Sequence, residues 1–261
     1  MTFKMRIVTN KKLVKRNRQI ATWLFLATFG ILIGGFVFIN YTFFTGNAPQ
    51  TWLILAQALT LPVAFILTIF SVRMTNLWAR QPYPEKAIPE ALKGLSKKSI
   101  LYNYYHFPAR HVLIAPQGVF TIEIRWHDGK FTVEEDKWTT HKSGISRFFS
   151  AIRMDGVGDP IKDAKVATEQ VEKMLKDIAP DIEVKPLVLF ISEKAELEII
   201  DSSIDVLYAD ESKAPNLSEY MRELNREQKE DMQQKVTLPM TEKQIADFES
   251  ATMPRKPRKQ K

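Results

Sequence analysis

The sequence contains no cysteine among its 261 residues. This absence excludes a disulfide framework, a zinc site built from thiolates and a cysteine nucleophile. Histidine is also scarce, with four residues in the chain, and no two of them have the spacing of a metal-binding pair. A catalytic or metal-binding site in this protein would therefore depend on oxygen ligands or on isolated imidazole groups.

Acidic residues are absent from both ends of the chain, and the basic residues at these ends account for more than the whole formal charge of +7. Residues 1–18 carry seven Lys and Arg residues and residues 254–261 carry five, which leaves 25 basic against 30 acidic residues elsewhere. A domain that binds nucleic acid usually carries positive charge of its own. We expect the basic ends to contact an anionic membrane surface, at about 1 kcal/mol for each residue, or to lie in solvent. A nucleic-acid-binding arm is the alternative.

Residues 19–72 contain no Asp, Glu, Lys or Arg. Residues 20–44 and 51–72 are predominantly apolar. A helix over the first of these stretches would be roughly 37 Å long, against a hydrocarbon core of about 30 Å. We therefore expect two transmembrane helices joined by a turn. A signal peptide is the alternative for the first stretch, but its apolar core would be shorter. Because neither stretch contains an ionisable group, we interpret the two helices as a membrane anchor and not as a transport path.

Basic residues flank the helix pair and are absent from its turn. Seven precede the first helix, and Arg73, Arg80 and Lys86 follow the second. The positive-inside tendency then places both ends of the pair in the cytoplasm. We expect a bacterial-type inner (plasma) membrane, with its lipids as partners.

Small residues recur along both apolar stretches. The first contains Gly30 and Gly34, and the second repeats small residues every four positions: Ala56, Thr60, Ala64 and Thr68. Such stripes let helix backbones approach closely in lipid. We expect them to pack the two helices against each other, and the alternatives are a homo-oligomer or a larger complex formed through these helices.

The rest of the chain predicts an α/β domain with a mixed sheet and flanking helices. We divide the chain into a basic N-terminus (1–19), the transmembrane hairpin (20–72), a proline-containing linker (73–89), the domain (90–225) and a charged C-terminal segment with a basic tail (226–261). The expected helices are 90–95, 160–178, 216–224 and 241–250. The expected strands are 100–105, 111–115, 118–126, 131–135, 184–191 and 205–209.

The strand over residues 118–126 has the clearest pattern. Its alternation predicts one core face and an opposite face that carries Glu123 and Arg125. Asp128-Gly129 then predicts a hairpin turn that pairs this strand with residues 131–135.

The segment from Ala109 to Arg125 (ARHVLIAPQGVFTIEIR) is followed by Asp-Gly-Lys and Lys-Trp, and later by Gly158-Asp159-Pro160 at the start of a helix that contains Gln170. This order of motifs resembles the NERD family, the nuclease-related domain, over about residues 90–225. The resemblance implies a fold similar to the restriction-endonuclease-like enzymes, whose sites hold Mg²⁺ with an Asp and a Glu-x-Lys on neighbouring strands.

Carried onto this sequence, that motif is degenerate. Glu123 matches the Glu, but Arg125 stands at the Lys position and Arg110 at the Asp position. A guanidinium is a poor proton acceptor, and a cation repels the metal. Carboxylates that could have migrated toward Glu123 are Glu90, Asp128, Glu134 and Glu135. Without them, Glu123 would form a salt bridge with Arg125 or Arg110.

The resulting prediction is a membrane-anchored, non-catalytic domain without a cofactor that binds or tethers nucleic acid or a protein partner. A small basic patch of Arg110, Arg125, Lys97 and Lys98 would contact phosphate without cutting it. The alternative is a nuclease that requires Mg²⁺ and has a rearranged site.

Overall fold

The computed structural model describes residues 5–46, 51–94, 98–141, 143–144, 156–231 and 237–253. By backbone contacts the chain divides into two units. One unit contains residues 11–83 with 143–156, and the other contains residues 1–10, 84–142 and 157–261.

The first unit is built from two long helices, α1 (Lys11–Thr45) and α2 (Thr51–Trp78). Both are long and apolar enough to cross a membrane, and fewer than a fifth of the residues in their most apolar windows are buried. Large apolar side chains such as Trp23, Phe36 and Leu61 are exposed. The core helix of a soluble protein would bury most of such residues.

Small residues form the contact between α1 and α2, but they are only partly the expected ones. Ala64 of α2 is buried, as are Ala21 and Thr28 of α1. Gly35 is the glycine at the contact, since a Cβ placed on it would lie 2.5 Å from Cγ2 of Thr60. Gly30 and Gly34, in contrast, are exposed, because they lie on other sides of the helix.

The second unit contains the remaining elements. Its helices are α3 (Pro84–Ala91), α4 (Pro160–Leu175), α5 (Leu217–Asp231) and α6 (Glu242–Thr252). Its strands are β1 (Arg6–Thr9), β2 (Ile100–His106), β3 (Ala109–Ala115), β4 (Gly118–Arg125), β5 (Gly129–Glu134), β6 (Lys137–Thr140), β7 (Val184–Phe190), β8 (Ala195–Ile199) and β9 (Asp205–Tyr208).

Six of these strands form a mixed sheet in the order β1-β2-β3-β4-β7-β9. The strands β2, β3 and β4 are antiparallel neighbours, whereas β1, β7 and β9 join by parallel pairing. Helices α3 and α5 cover one face of the sheet, and α4 and α6 cover the other. The expected α/β class with flanking helices is therefore present.

Strand β1 was not expected from the sequence. It lies in the segment predicted only as a basic N-terminus, and it pairs with β2 from Arg6 opposite Ile100 to Thr9 opposite Asn103. Asn10 is the single residue between this strand and α1.

The predicted hairpin between residues 118–126 and 131–135 is wrong. β5 pairs with β6 and β8 in a separate three-stranded sheet, and Gly129 N–H donates to the carbonyl of Lys194. The tight turn of that sheet is Glu135-Asp136, where both residues have positive φ. Such a turn usually contains glycine or asparagine, so the Asp-Gly pair was the stronger but misleading signal.

Candidate functional site

Strand β4 lies at the centre of the six-stranded sheet, and both of its faces are buried. The expectation that only one face belongs to the core is therefore wrong. Helix α4 covers the face that carries Glu123 and Arg125, because β4 has parallel β7 as its neighbour and α4 is the connection between them. A charged pair on this strand is thus enclosed and not in solvent.

The side chain of Arg125 joins two carboxylates. Its Nη1 donates to Oε1 of Glu123 and its Nη2 to Oδ2 of Asp163. Nε donates to the carbonyl of Val157 at 3.0 Å, and Nη1 also donates to the carbonyl of Ile124 at 3.1 Å. Only 6% of the Arg125 side chain and 9% of the Glu123 side chain are exposed, whereas 56% of Asp163 is exposed. The guanidinium therefore forms a buried ion pair on one side and a half-exposed one on the other.

The start of α4 fixes the position of Asp163. Asp159 caps the helix by accepting a hydrogen bond from Lys162 N–H at 3.0 Å, and Pro160 occupies the first turn. Pro is favoured there because its ring fixes φ and its missing N–H is not needed. One turn after the cap, Asp163 meets Arg125. Further along, Thr168 of α4 hydrogen-bonds to Thr121 of β4 at 2.5 Å, which sets the register between helix and strand.

Arg110 lies beside the ion pair of Glu123 and Arg125 but does not take part in it. Continuing the β3–β4 register from Val112 opposite Thr121 places Arg110 opposite Glu123. Arg110 is partly exposed, and within the described part of the chain it forms no ion pair. Of the two partners expected for Glu123, Arg125 is the one found.

The predicted basic patch is not assembled. Lys98 precedes β2 and lies at the opposite end of the sheet from Arg110, because β2 and β3 are antiparallel. Arg125 is buried, and Lys97 lies outside the described residues. Of the three members that the structure describes, Arg110 and Lys98 are accessible, but they lie at opposite ends of the sheet.

A family model provides the decisive comparison. The nuclease-related domain, NERD, matches residues 83–191. This part of the chain is a NERD domain. The match begins just before α3 and ends just after β7, so it covers α3, the β2–β3–β4 meander, α4 and β7. Neither the curated proteins nor the solved structures give a match to this chain.

The residues of this NERD domain do not fit the Mg²⁺ that the family resemblance implies. Mg²⁺ requires several oxygen ligands in octahedral arrangement, but here a guanidinium lies between the two carboxylates. Among the described residues, no group of three or more His, Asp or Glu is placed to hold a metal ion. The carboxylates considered as migrated ligands are engaged elsewhere or lie outside this contact: Asp128 accepts from Ser192 and Glu135 from Lys137, and Glu90 and Glu134 do not contact Arg125.

Asp163 is the site residue that the sequence did not reveal. The feature of the sequence that points to Asp163 is its position, four residues after the capping Asp159 and in the first turn of the helix that covers β4. A first-turn Asp is common because it favours the helix dipole, so the position alone does not indicate a salt bridge.

His106 and His111, at the end of the sheet where Arg110 lies, have structural roles. Nδ1 of His111 is 2.8 Å from Oδ1 of Asn103, and the Asn103 side chain donates to Thr9 of β1 at 3.0 Å. Burial, reinforced by the charge of Arg110, lowers the pKa of His111 to about 3. Burial also lowers the pKa of His106 to about 4. Both imidazoles are therefore neutral at physiological pH.

Proposed function

We propose that this protein is a membrane-anchored NERD domain that is non-catalytic and that binds or tethers nucleic acid or a protein partner at the membrane. The observation that carries the proposal is the ion pair of Arg125 with Glu123 and Asp163. It uses the carboxylate that a nuclease of this type would present to Mg²⁺. It also places a guanidinium, which is a poor proton acceptor, where a Lys would handle the attacking water.

The anchor and its orientation are supported by the connectivity of the sheet. β1 precedes α1 and β2 follows α2, yet the two strands are hydrogen-bonded over four residue pairs. Strands in one sheet cannot lie on opposite sides of a bilayer, so a spanning hairpin must begin and end on the same side. The basic residues at both flanks favour the cytoplasmic side of an inner membrane.

Cleavage assays test the non-catalytic part of the proposal. The full chain is needed, because a fragment that begins after the hairpin would lack β1. Reconstituted in nanodiscs with Mg²⁺ or Mn²⁺, it should leave single-stranded DNA, duplex DNA and RNA intact. Metal-dependent cleavage that disappears in Glu123→Gln would establish the alternative, a nuclease with a rearranged site.

The same nanodiscs test the ligand. Fluorescence anisotropy with labelled DNA and RNA should show binding that weakens steeply with salt if nucleic acid is the ligand, because phosphate contacts release counterions. Arg110→Gln should reduce that binding, and Lys98→Gln, at the other end of the sheet, is the matched control. If neither DNA nor RNA binds, nucleic acid is not the ligand, and the proposed ligand is a protein partner.

A further inference from the structure

β9 is the last strand of the six-stranded sheet, and β7 pairs with one of its two edges. Just after β9, the N–H of Ala209 donates to the carbonyl of Phe190 in β7. Backbone groups of successive residues in a strand point alternately to its two edges. The N–H and C=O of Leu207 therefore also point toward β7, whereas those of Val206 and Tyr208 point to the outer edge.

This outer edge is closed on both sides of Val206. The N–H of Tyr208 donates to the carbonyl of Pro215 at 2.9 Å, and the Ser202 hydroxyl donates to the carbonyl of Ile204 at 2.7 Å. Among the residues that the structure describes, none hydrogen-bonds to the outward N–H and C=O of Val206, although this residue is 2% exposed. Buried backbone groups are nearly always paired, and an open strand edge is a template for a strand of another chain.

A groove of about 590 Å³ lies along this edge. On the face of the sheet that carries the Val206 side chain, the half-buried Ile199 and Ile204 form an apolar wall. On the opposite face lies α5, whose Tyr220 donates a hydrogen bond from its hydroxyl to Asp205. Side chains of an added strand would alternate between these two walls.

The charged residues that line the groove are all acidic. Asp205, Glu219 and Glu223 are exposed, and they lie on the wall formed by α5. Glu223 is also 3.9 Å from Arg226, but both side chains are more than half exposed, so this pair is weak. The α5 wall therefore favours cationic side chains and repels phosphate, whereas the other wall favours apolar ones.

We propose that this groove binds an extended segment of a partner protein in which apolar and basic residues alternate. Backbone groups of the segment would pair with the N–H and C=O of Val206. Its apolar side chains would pack on Ile199 and Ile204, and its basic side chains would reach Glu219 and Glu223.

The proposal goes beyond the proposed function and stands independently of it. All residues of the groove follow residue 191, where the match to the NERD family ends. The groove contains neither Glu123 nor Arg125, and no residue of α1 or α2 lines it. Failure of this proposal would leave the non-catalytic site and the membrane anchor as they are.

The probe is a short fluorescein-labelled peptide that alternates valine and lysine. It is added to the full chain in nanodiscs of phosphatidylcholine, which has no net charge, and fluorescence anisotropy gives its dissociation constant. Peptides with glutamate in place of lysine, or serine in place of valine, test the charge and the apolar contacts. Two further peptides, methylated on the amide nitrogens of either the valines or the lysines, test the backbone pairing.

A pair of variants tests the location. Glu219→Gln/Glu223→Gln removes two acidic charges from the groove. The matched control is Glu169→Gln/Glu172→Gln, which removes two exposed acidic charges from α4 on the other face of the sheet.

The valine–lysine peptide should bind, and the glutamate and serine peptides should bind far more weakly. The groove variant should weaken binding about five-fold and the control variant should not. Methylation of one set of amides should weaken binding about ten-fold and methylation of the other set should have little effect, because only alternate amides of an added strand face Val206. The sensitive set is the valines if the segment runs antiparallel to β9 and the lysines if it runs parallel.

Three results would each overturn the proposal. The first is no binding of the valine–lysine peptide, or equal binding of the serine peptide. The second is an equal effect of the two methylations. The third is an equal effect of the groove variant and the control variant.

Discussion

Removal of the Arg125 guanidinium should be among the most destabilising single changes in this domain. Arg125→Ala leaves the Glu123 carboxylate, 9% exposed, without its partner beside Val188 of β7. It also leaves the carbonyl of Val157 without the donor that lies 3.0 Å away. Breaking one partner of a buried ion pair costs about 3–5 kcal/mol, which is a large part of the 5–15 kcal/mol typical of a folded domain.

The two carboxylates should differ in their contribution. Asp163 is 56% exposed, so its pair with Arg125 is screened by solvent, and Asp163→Asn should cost less than about 1 kcal/mol. The double variant Glu123→Leu/Arg125→Met removes both buried charges and fills similar volume. It should be far closer to the parent in stability than Arg125→Ala, because no unpaired charge then stays buried.

Denaturant unfolding of the full chain in detergent micelles measures these differences. Trp126 and Trp138 pack against buried groups of the NERD domain and report its unfolding. The reasoning would be refuted if Arg125→Ala and Asp163→Asn shifted the unfolding midpoint equally, or if the double variant were as unstable as Arg125→Ala. Either result would mean that the charge on Glu123 is not effectively buried.

Three further predictions concern other parts of the chain. The lowered pKa of His111, about 3 against an ordinary value of 6.5, means that the unfolded chain gains a proton first as pH falls. His111 should therefore lower the free energy of unfolding below pH 6.5 by up to about 1.4 kcal/mol per pH unit, and the dependence on pH should be less steep in His111→Asn, as urea unfolding at several pH values would show. Gly35→Val should loosen the hairpin by colliding with Thr60, and added Thr60→Ala should restore it, measured by cross-linking between cysteines placed on α1 and α2. Deletion of residues 1–9 should uncover the edge of β2 and accelerate proteolysis of the domain, whereas protection equal to that of the full chain would contradict the role of β1.

Helices and strands with a strong periodic pattern could be predicted from the sequence. The segment 160–178 was expected to be a helix and forms α4 (Pro160–Leu175), and the apolar run 184–191 was expected to be a strand with both faces covered and forms β7 (Val184–Phe190). In both segments the local propensity and the burial in the folded chain favour the same secondary structure. A segment is predictable when its local preference and its tertiary packing agree in this way.

Pairing between strands was less predictable. Asp128-Gly129 has the composition of a tight turn, but the chain there passes to a second sheet, because Phe131 and Val133 are buried by packing that involves distant residues such as Phe190. β1 was missed for a related reason. It has four residues and is surrounded by basic residues, and its hydrogen bonds are made to a strand more than 90 residues away.

The candidate site was also predictable only in part. Glu123 and Arg125 were identified from one strand, since two residues of separation place both on one face. That α4 would cover this face could not be inferred, because the alternation along β4 is equally consistent with a solvent-exposed face. Asp163 depends on how α4 crosses the sheet, which is set by tertiary packing at Thr121 and Thr168.

Parallel pairing places the end of β1 and the candidate site at the same end of the six-stranded sheet. Had β1 paired antiparallel to β2, its last residue, Thr9, would lie at the end of the sheet that carries Lys98, far from Arg125. With parallel pairing, β1 ends at the same end of the sheet as β4, and Arg125 is located at that end. The four residue pairs between β1 and β2 therefore determine at which end of the sheet the chain leaves β1.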